Sequence, residues 1–375
     1  MNKHRLVYLY VSNGSSPYPT DFDMNVLTVD HFASMFPQEG FCSLFRLLID
    51  DGVFDEILVV IESSRSPGTL NLGKNFDLVA VPNIYNLKPL LRDNDIMWAR
   101  GGWRSWHDFL KKWHDTGHWL LFYRAASNRG AWPFWDIVFD DLIKEPFQDE
   151  IGRLYLPINK PINQVMFYPL IIHRIYDVII GASHIHDKKG QWRFLPVLEE
   201  YRNRYGTDLA CIMPGGFKNG EHTNQIISTV KEKNLNIFFP GMVHRHDLNI
   251  MYNHSRLFVH CGGAGQNDRG PLEALCCGTT LMIANPEFHP PFFRHPYVFC
   301  IDPRFPEIAA EQLAYALTTI NSQHENWRQD VHRFYKQENS LEEVVFPQFK
   351  NAFNLIKTTP HSKKDAAIRA LLNNS

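Results

Sequence analysis

RLFVHCGGAGQNDRGPLEALCCGTTLMIANP, residues 256–286, runs from an apolar segment through glycines and polar residues to a proline, and then into a second apolar segment. The first part, RLFVHC, is short and almost continuously apolar, as a strand buried on both faces of a parallel sheet must be. Behind it, Gly262, Gly263 and Gly265 permit backbone conformations closed to other residues and let the chain come close to a ligand. Pro271 suits a first helical turn, so Pro271–Cys277 reads as the opening of a helix whose free N–H groups attract an anion such as a diphosphate. Glu273 then falls in that first turn. A carboxylate there gains from the helix dipole and can accept two hydrogen bonds from a ribose diol. An ordinary helix-terminal carboxylate would occupy the same position, and this segment alone does not separate the two readings.

The pattern repeats on the amino-terminal side. YDVIIGAS reads as a strand, GQWRFLPVLEEYRNRYG as a helix with Phe194, Leu195, Leu198 and Tyr201 on one face, and DLACIMPGG as the next strand. Helix EHTNQIISTVKEKN, strand NIFFPGMV and helix HDLNIMYNHS follow, and strand TTLMIANP closes the series. Alternation of strand and helix implies βαβ crossovers and a doubly wound sheet. The first part of the chain shows a second such series in RLVYLYVS, EILVVIES, FDLVAVP, DIMWAR, WLLFYRAAS and WDIVFDD. Between the fourth and fifth of these, Trp106, Phe109, Leu110 and Trp113 recur at helical spacing, a stripe that fits the core better than a ligand platform. LYLPINKPINQVMFYPL, residues 154–170, holds three prolines and no helical period, and marks a domain junction. The expected division is an amino-terminal domain over 1–168, a carboxy-terminal domain over 169–340, and a segment over 341–375 whose helix, 341–357, returns toward the first domain. Two such sheets facing one another place a cleft at the carboxyl ends of their strands, where open α/β sheets bind ligands.

With 375 residues, 44% hydrophobic and 21% charged, the chain is long enough for two domains with separate cores and carries no compositional sign of disorder. A net charge of -2 excludes a globally basic nucleic-acid binder, although a local basic groove would not register in the total. The six cysteines lack paired CxxC spacing, which argues against a zinc site or a disulfide framework and for a reduced, cytoplasmic setting. The apolar run at the amino terminus is short and contains tyrosines, so it reads as a first strand and not as a signal peptide. Nothing reaches the roughly 18 apolar residues of a membrane span.

A second segment supplies positive charge. GASHIHDKKG, residues 181–190, follows a strand and precedes a helix, bringing two lysines to the same sheet edge as Glu273. Lys189 can neutralise phosphate, while Lys188 suits solvent. His184 and His186 can donate hydrogen bonds to phosphate or sugar; a metal site would need further ligands that the sequence does not assign.

These segments, in this order, resemble the donor-binding domain of the GT-B glycosyltransferases, specifically the retaining glycosyltransferase family 4 type. The likeness runs through DVIIGASHIHDKKG, LACIMPGG, NIFFPGMVHRHDLNIMYNHSRLFVHCGG and RGPLEALCCGTTLMIANP, about half of the chain. It implies two Rossmann-like domains facing across a cleft. Glu273 matches the second glutamate of the family's E-x7-E motif, which holds the donor ribose, and Lys189 matches the lysine on the donor phosphates. Pro240, Gly241, Met242 and Val243 match the segment lining the nucleobase, while Gly270, Pro271 and Leu272 fall beside ribose and diphosphate. The chain departs from the motif at Gly265, where the first glutamate would stand, so the sugar contact passes to Gln266, Asn267 or Asp268. His184 or Arg269 takes the place of a family arginine. In the first domain Arg124, Ser127 or Asn128 stands where family members often carry a histidine, and the early glycine-rich loop is replaced by VSNGSSPYPTD, leaving Asn13 and Gly14 to approach the diphosphate.

The activity implied is transfer of a sugar from a nucleoside diphosphate, UDP above all, to a hydroxyl with retention, by Lys189, Glu273 and Arg124 and without a metal or further cofactor. The acceptor pocket would draw on WARGGWRSWHD and YRAASNRGAW, which combine Arg100, Arg104, Arg124 and Arg129 with Trp98, Trp103 and Trp132, and on Ser127 and Asn128. Two acceptor classes fit: a saccharide or small metabolite, and a hydroxymethylated pyrimidine in DNA of the kind some phage enzymes modify. A nucleotide-sugar epimerase and a non-catalytic nucleotide-sugar binder are the alternatives of other classes.

Overall fold

Strand β1 (Arg5–Val11) shows how the first core is organised: Leu6, Tyr8 and Tyr10 face one apolar cluster, and Val7 and Leu9 face another. Alternation of this kind, apolar on both faces, is what a sheet covered by helices on each side requires. The computed structural model describes residues 4–11, 34–63, 67–101, 104–124, 132–181, 184–185, 189–217, 221–262, 268–284, 296–322 and 326–374. The chain forms two units, Met1–Asn163 with Leu341–Ser375, and Gln164–Ser340.

In unit 1, β1 is followed by α1 (Gly40–Asp50), β2 (Glu56–Glu62), β3 (Gly68–Gly73), β4 (Phe76–Val81), β5 (Ile96–Arg100), α2 (His107–Asp115), β6 (Leu120–Arg124), β7 (Ile137–Asp140), β8 (Phe147–Gln148) and β9 (Leu154–Pro157). These strands make one sheet in the order β3-β4-β2-β1-β5-β6-β7-β9-β8, parallel except for the edge strands β3 and β8. All six runs expected as strands are strands of this sheet. The stripe on α2 is core, with Trp106, Phe109 and Leu110 buried. Trp98 is fully buried, its ring against Tyr8, Phe45 and Phe349, so it belongs to the interior and not to an acceptor platform.

Unit 2 contains β10 (Tyr176–Ile180), β11 (His184–Ile185), α3 (Leu195–Tyr205), β12 (Cys211–Ile212), β13 (Gly216–Phe217), α4 (Glu221–Glu232), β14 (Ile237–Phe238), α5 (Arg245–His254), β15 (Ser255–His260), α6 (Arg269–Cys276), β16 (Thr280–Ile283), β17 (Val298–Cys300), α7 (Pro306–Ser322) and α8 (Trp327–Asn339). Its parallel sheet has the order β14-β12-β10-β15-β16-β17, with β11 and β13 paired separately. Strand order reverses between β10 and β15, and a crevice at the carboxyl ends of such a pair is where α/β sheets bind ligands.

The chain passes from one unit to the other between Asn163 and Gln164, ahead of the junction expected at 168. The first part of the proline-rich segment is a strand, because Leu154, Tyr155 and Leu156 are buried and pair with β7 before the prolines begin. The later part is held by unit 2. The Tyr168 and Leu170 amides donate to the side chains of Asn249 and Asn253, and the Cys276 thiol donates to the Phe167 carbonyl. After α8, a π-turn over Leu341–Val345 leads into α9 (Phe346–Thr358) and α10 (Lys364–Asn374). The closing segment therefore carries a second helix where a single one, 341–357, was expected. Both belong to unit 1, with Phe349, Phe353, Ile368 and Leu371 in the cluster that holds Leu6 and Tyr8. Among the described residues no helix is long and apolar enough to cross a membrane.

Candidate functional site

The loop after β10 and the loop after β15 meet beside the strand-order reversal of unit 2. They enclose a cavity of about 180 Å3 lined by Gly181, Lys189, Pro214, Arg245, Leu248, Tyr252, Glu273 and the turn Asp268–Pro271. Pockets that take a whole ligand typically measure about 300–1,000 Å3. The described walls thus enclose only part of a ligand-sized site.

Lys189 precedes Gly190, whose φ of +69° and close approach to the Cys261 carbonyl, 2.2 Å from where a Cβ would stand, admit glycine alone without rearrangement. The ammonium of Lys189 lies 2.6 and 2.7 Å from the two carboxylate oxygens of Asp268. Nε2 of the buried His260 is 3.0 Å from the same carboxylate. Burial would push the Asp268 carboxyl up, but His260 and Lys189 outweigh it and hold the group far below the usual carboxylate range.

Asp268 is also the N-cap of α6, and its side chain makes no capping hydrogen bond. The first turn of this helix, Arg269, Gly270 and Pro271, lines the cavity, and of these three only Arg269 and Gly270 carry a backbone N–H. The helix begins at Arg269, two residues ahead of Pro271, so Glu273 does not lie in the first turn as expected; that turn holds no acidic residue. Glu273 is buried, 6% exposed, and accepts a hydrogen bond of 3.3 Å from the Tyr252 hydroxyl. Burial and the nearby Glu273 carboxylate raise the Tyr252 hydroxyl well above its ordinary value, so it stays protonated and donates. Leu272 points into the core, 2% exposed, which removes it from the expected ribose contacts.

Lys189, Asp268, Arg269, Gly270, Pro271 and Glu273 thus come together in one cavity. Gly241, Met242 and Val243 follow β14 outside its lining, tied to the wall where the Gly241 carbonyl accepts from the Gly215 amide. The backbone of His184 is in β11. Asn13, Gly14, Trp103, Ser127, Asn128, Arg129, Gly265, Gln266 and Asn267 lie outside the described residues. Sequence reasoning missed Arg245, Leu248 and Tyr252. Their signal was available in the spacing of three and four along α5, which places all three on one helix face.

In unit 1, Arg100 and Arg124 stand at the carboxyl ends of the neighbouring strands β5 and β6. Arg124 reaches Asp140 at 3.0 Å and keeps 37% of its side chain exposed. The Arg100 guanidinium lies 4.9 Å over the Tyr10 ring and 3.5 Å from Glu39, which ties it to the interior. Arg104 is exposed on a short 3-10 turn. Trp132 stacks on Trp135, with ring centroids 5.5 Å apart.

Residues 175–333 match the family model described as glycosyl transferases group 1. Solved structures that resemble the whole chain include a glycosyltransferase from Rickettsia africae ESF-5 (13% identity, TM-score 0.62, all of both chains covered). Sucrose-phosphate synthase from Thermosynechococcus elongatus covers 99% of this chain and 100% of its own at 11% identity and a TM-score of 0.59. An alpha,alpha-trehalose-phosphate synthase (UDP-forming) from Burkholderia xenovorans, in complex with glucose-6-phosphate, covers 95% and 100% at 11% identity and a TM-score of 0.55. At such identities the likeness shows the fold, which is GT-B. No curated protein sequence matches the chain.

Proposed function

We propose, from the match of residues 175–333 to the glycosyl transferases group 1 model within a chain of GT-B fold, that the protein is a glycosyltransferase that moves a sugar from UDP to a saccharide hydroxyl with retention at the anomeric carbon. One observation carries the reading: a cavity at the strand-order reversal joins Lys189, Arg245 and Arg269 to a helix amino terminus and the buried Glu273. Cations and helix amides suit a diphosphate, and a buried carboxylate behind them suits the ribose diol.

In this reading the diphosphate replaces Asp268 as the partner of Lys189. As the bond between the anomeric carbon and the phosphate oxygen breaks, negative charge builds on the leaving diphosphate. Fixed cations and the α6 amides stabilise it there without reorganising. The acceptor oxygen bonds to the anomeric carbon, and its proton passes to the departing phosphate, which needs no separate base. The sugar-phosphate synthases that share the fold favour a saccharide acceptor. Arg124, 37% exposed at the end of β6, is the group of unit 1 suited to an acceptor hydroxyl or phosphate.

Calorimetric titration with UDP tests the donor site. Glu273→Ala should weaken UDP binding by roughly 1–3 kcal/mol, the range of hydrogen bonds to a charged group. An unchanged affinity removes Glu273 from the ribose. UDP release from a panel of UDP-sugars, measured with saccharides, sugar phosphates or hydroxymethylated DNA as acceptor, identifies the second substrate; release with DNA alone refutes the saccharide.

A further inference from the structure

A cluster of metal-ligating side chains lies in unit 1 and shares no residue with the lining of the unit 2 cavity. Asp136, just before β7, is completely buried in its side chain. Its Oδ1 lies 3.3 Å from His114 Nε2 and 3.1 Å from His361 Nε2. His114 comes from the end of α2 and His361 from the 3-10 turn ahead of α10. One ligand atom from each of the three residues falls within 4.8 Å of the others.

The spacing and the hydrogen bonding point the same way. Metal–ligand bonds of about 2.0–2.1 Å at tetrahedral angles put ligand atoms roughly 3.3–3.4 Å apart, close to the two histidine–carboxylate separations here, while the two imidazoles lie within 4.8 Å of one another. The His114 side chain is 18% exposed, but both of its ring nitrogens are buried and neither has a hydrogen-bond partner, although Nε2 lies 3.3 Å from the carboxylate. A buried imidazole without partners is costly unless another group takes its lone pair. The surroundings resemble an outer shell. The Leu120 amide donates to Asp136 Oδ2 at 2.9 Å and fixes the carboxylate, and Asp115 Oδ1 lies 3.7 Å from His114 Nδ1.

We propose that His114, Asp136 and His361 bind one zinc ion, which fastens the start of α10 to the amino-terminal ends of β6 and β7 in unit 1. Two imidazoles and a carboxylate suit zinc among the common divalent ions. Asp136 can occupy two positions or leave the fourth to water. An opposing charge, the Lys364 ammonium, lies 3.3 Å from Asp136 Oδ1; it is 38% exposed on a flexible stem and can turn to solvent. The ion would join positions separated by more than two hundred residues and hold the carboxy-terminal helix where its apolar side enters the core.

The test uses the full, untagged chain, stripped with chelator and titrated with Zn2+ against a chromophoric competitor and with Co2+ by visible absorption. One equivalent of zinc should bind, Tm should rise, and Co2+ should give the d–d bands of a tetrahedral site. His361→Gln, which keeps a polar side chain in place, should lower zinc affinity at least tenfold with an unchanged far-UV spectrum. Lys364→Met should bind zinc at least as tightly as the parent. The proposal is overturned if the parent chain retains no zinc at one equivalent, if His361→Gln binds as the parent does, or if Tm follows pH but not zinc. That last result would make the cluster a proton-bridged ion pair.

Discussion

Lys189 is held in place by an anion already within the fold, Asp268, at hydrogen-bonding distance from both carboxylate oxygens. In the proposed donor site a diphosphate would compete with this internal partner, and the affinity measured would be a difference between two ion pairs. Lys189→Ala should reduce UDP affinity by about 1.5–3 kcal/mol, the worth of a charged hydrogen bond, with the loss read by calorimetry. The same pair sets a pH dependence. Asp268 is held below the usual carboxylate range in the folded chain, so its contribution to stability is present above the unfolded value near 4 and declines as pH falls below it. The stability difference between the parent and Asp268→Asn, from urea midpoints, should be constant between pH 6 and 8 and shrink steadily under acid. A difference that grew toward low pH would contradict the pairing. That Lys189 and Glu273 meet at one cavity was legible in the sequence because each sits in a short segment with a recognisable order around it. Asp268 was expected only as one of three residues to take over a sugar contact, and its bond to a lysine 79 positions away is a tertiary fact that the sequence did not show.

At the scale of elements, α9 lays an aromatic face over the sheet. Phe353 meets Trp98, Phe139 and Phe54, with ring centroids 5.1 to 5.7 Å apart. Phe353→Ala should cost about 3–5 kcal/mol, read as a fall in the denaturant midpoint, because several rings lose a partner at once. The strands that were easy to read, such as EILVVIES and WLLFYRAAS, are buried runs in the middle of a sheet. The strands that escaped are at or near its edge. GTLNLG in β3 is largely exposed, and its glycines and asparagine read as a loop; LYLP in β9 was masked by the prolines that follow it. The α10 helix escaped for a different reason. Its sequence looks like a mildly basic tail until Ala367, Ile368 and Leu371 are seen in the core of a unit whose other strands lie hundreds of positions earlier.

At the scale of the molecule, a ligand confined to unit 2 should leave a local signature. UDP at 100 times its Kd adds about 2.7 kcal/mol to the stability of the unit that binds it. Hydrogen exchange should slow around Lys189, along the α5 face of Arg245, Leu248 and Tyr252, and at the start of α6, and change little in β2 and β4. Equal slowing in β2 and β4 would place the nucleotide elsewhere. The division of the chain into two α/β units was readable because each has its own series of apolar runs. Which unit owns the last segment was settled by packing.

That ownership has a consequence for how the protein is made. Unit 1 is assembled from both ends of the chain, with unit 2 placed between them. During synthesis the ribosome delivers all of unit 2 before the residues that finish unit 1, so Trp98 and Phe139 wait uncovered until Phe349 and Phe353 emerge. A nascent chain arrested before residue 341 should expose a sticky aromatic surface and recruit chaperones, whereas the donor-binding half could fold on schedule.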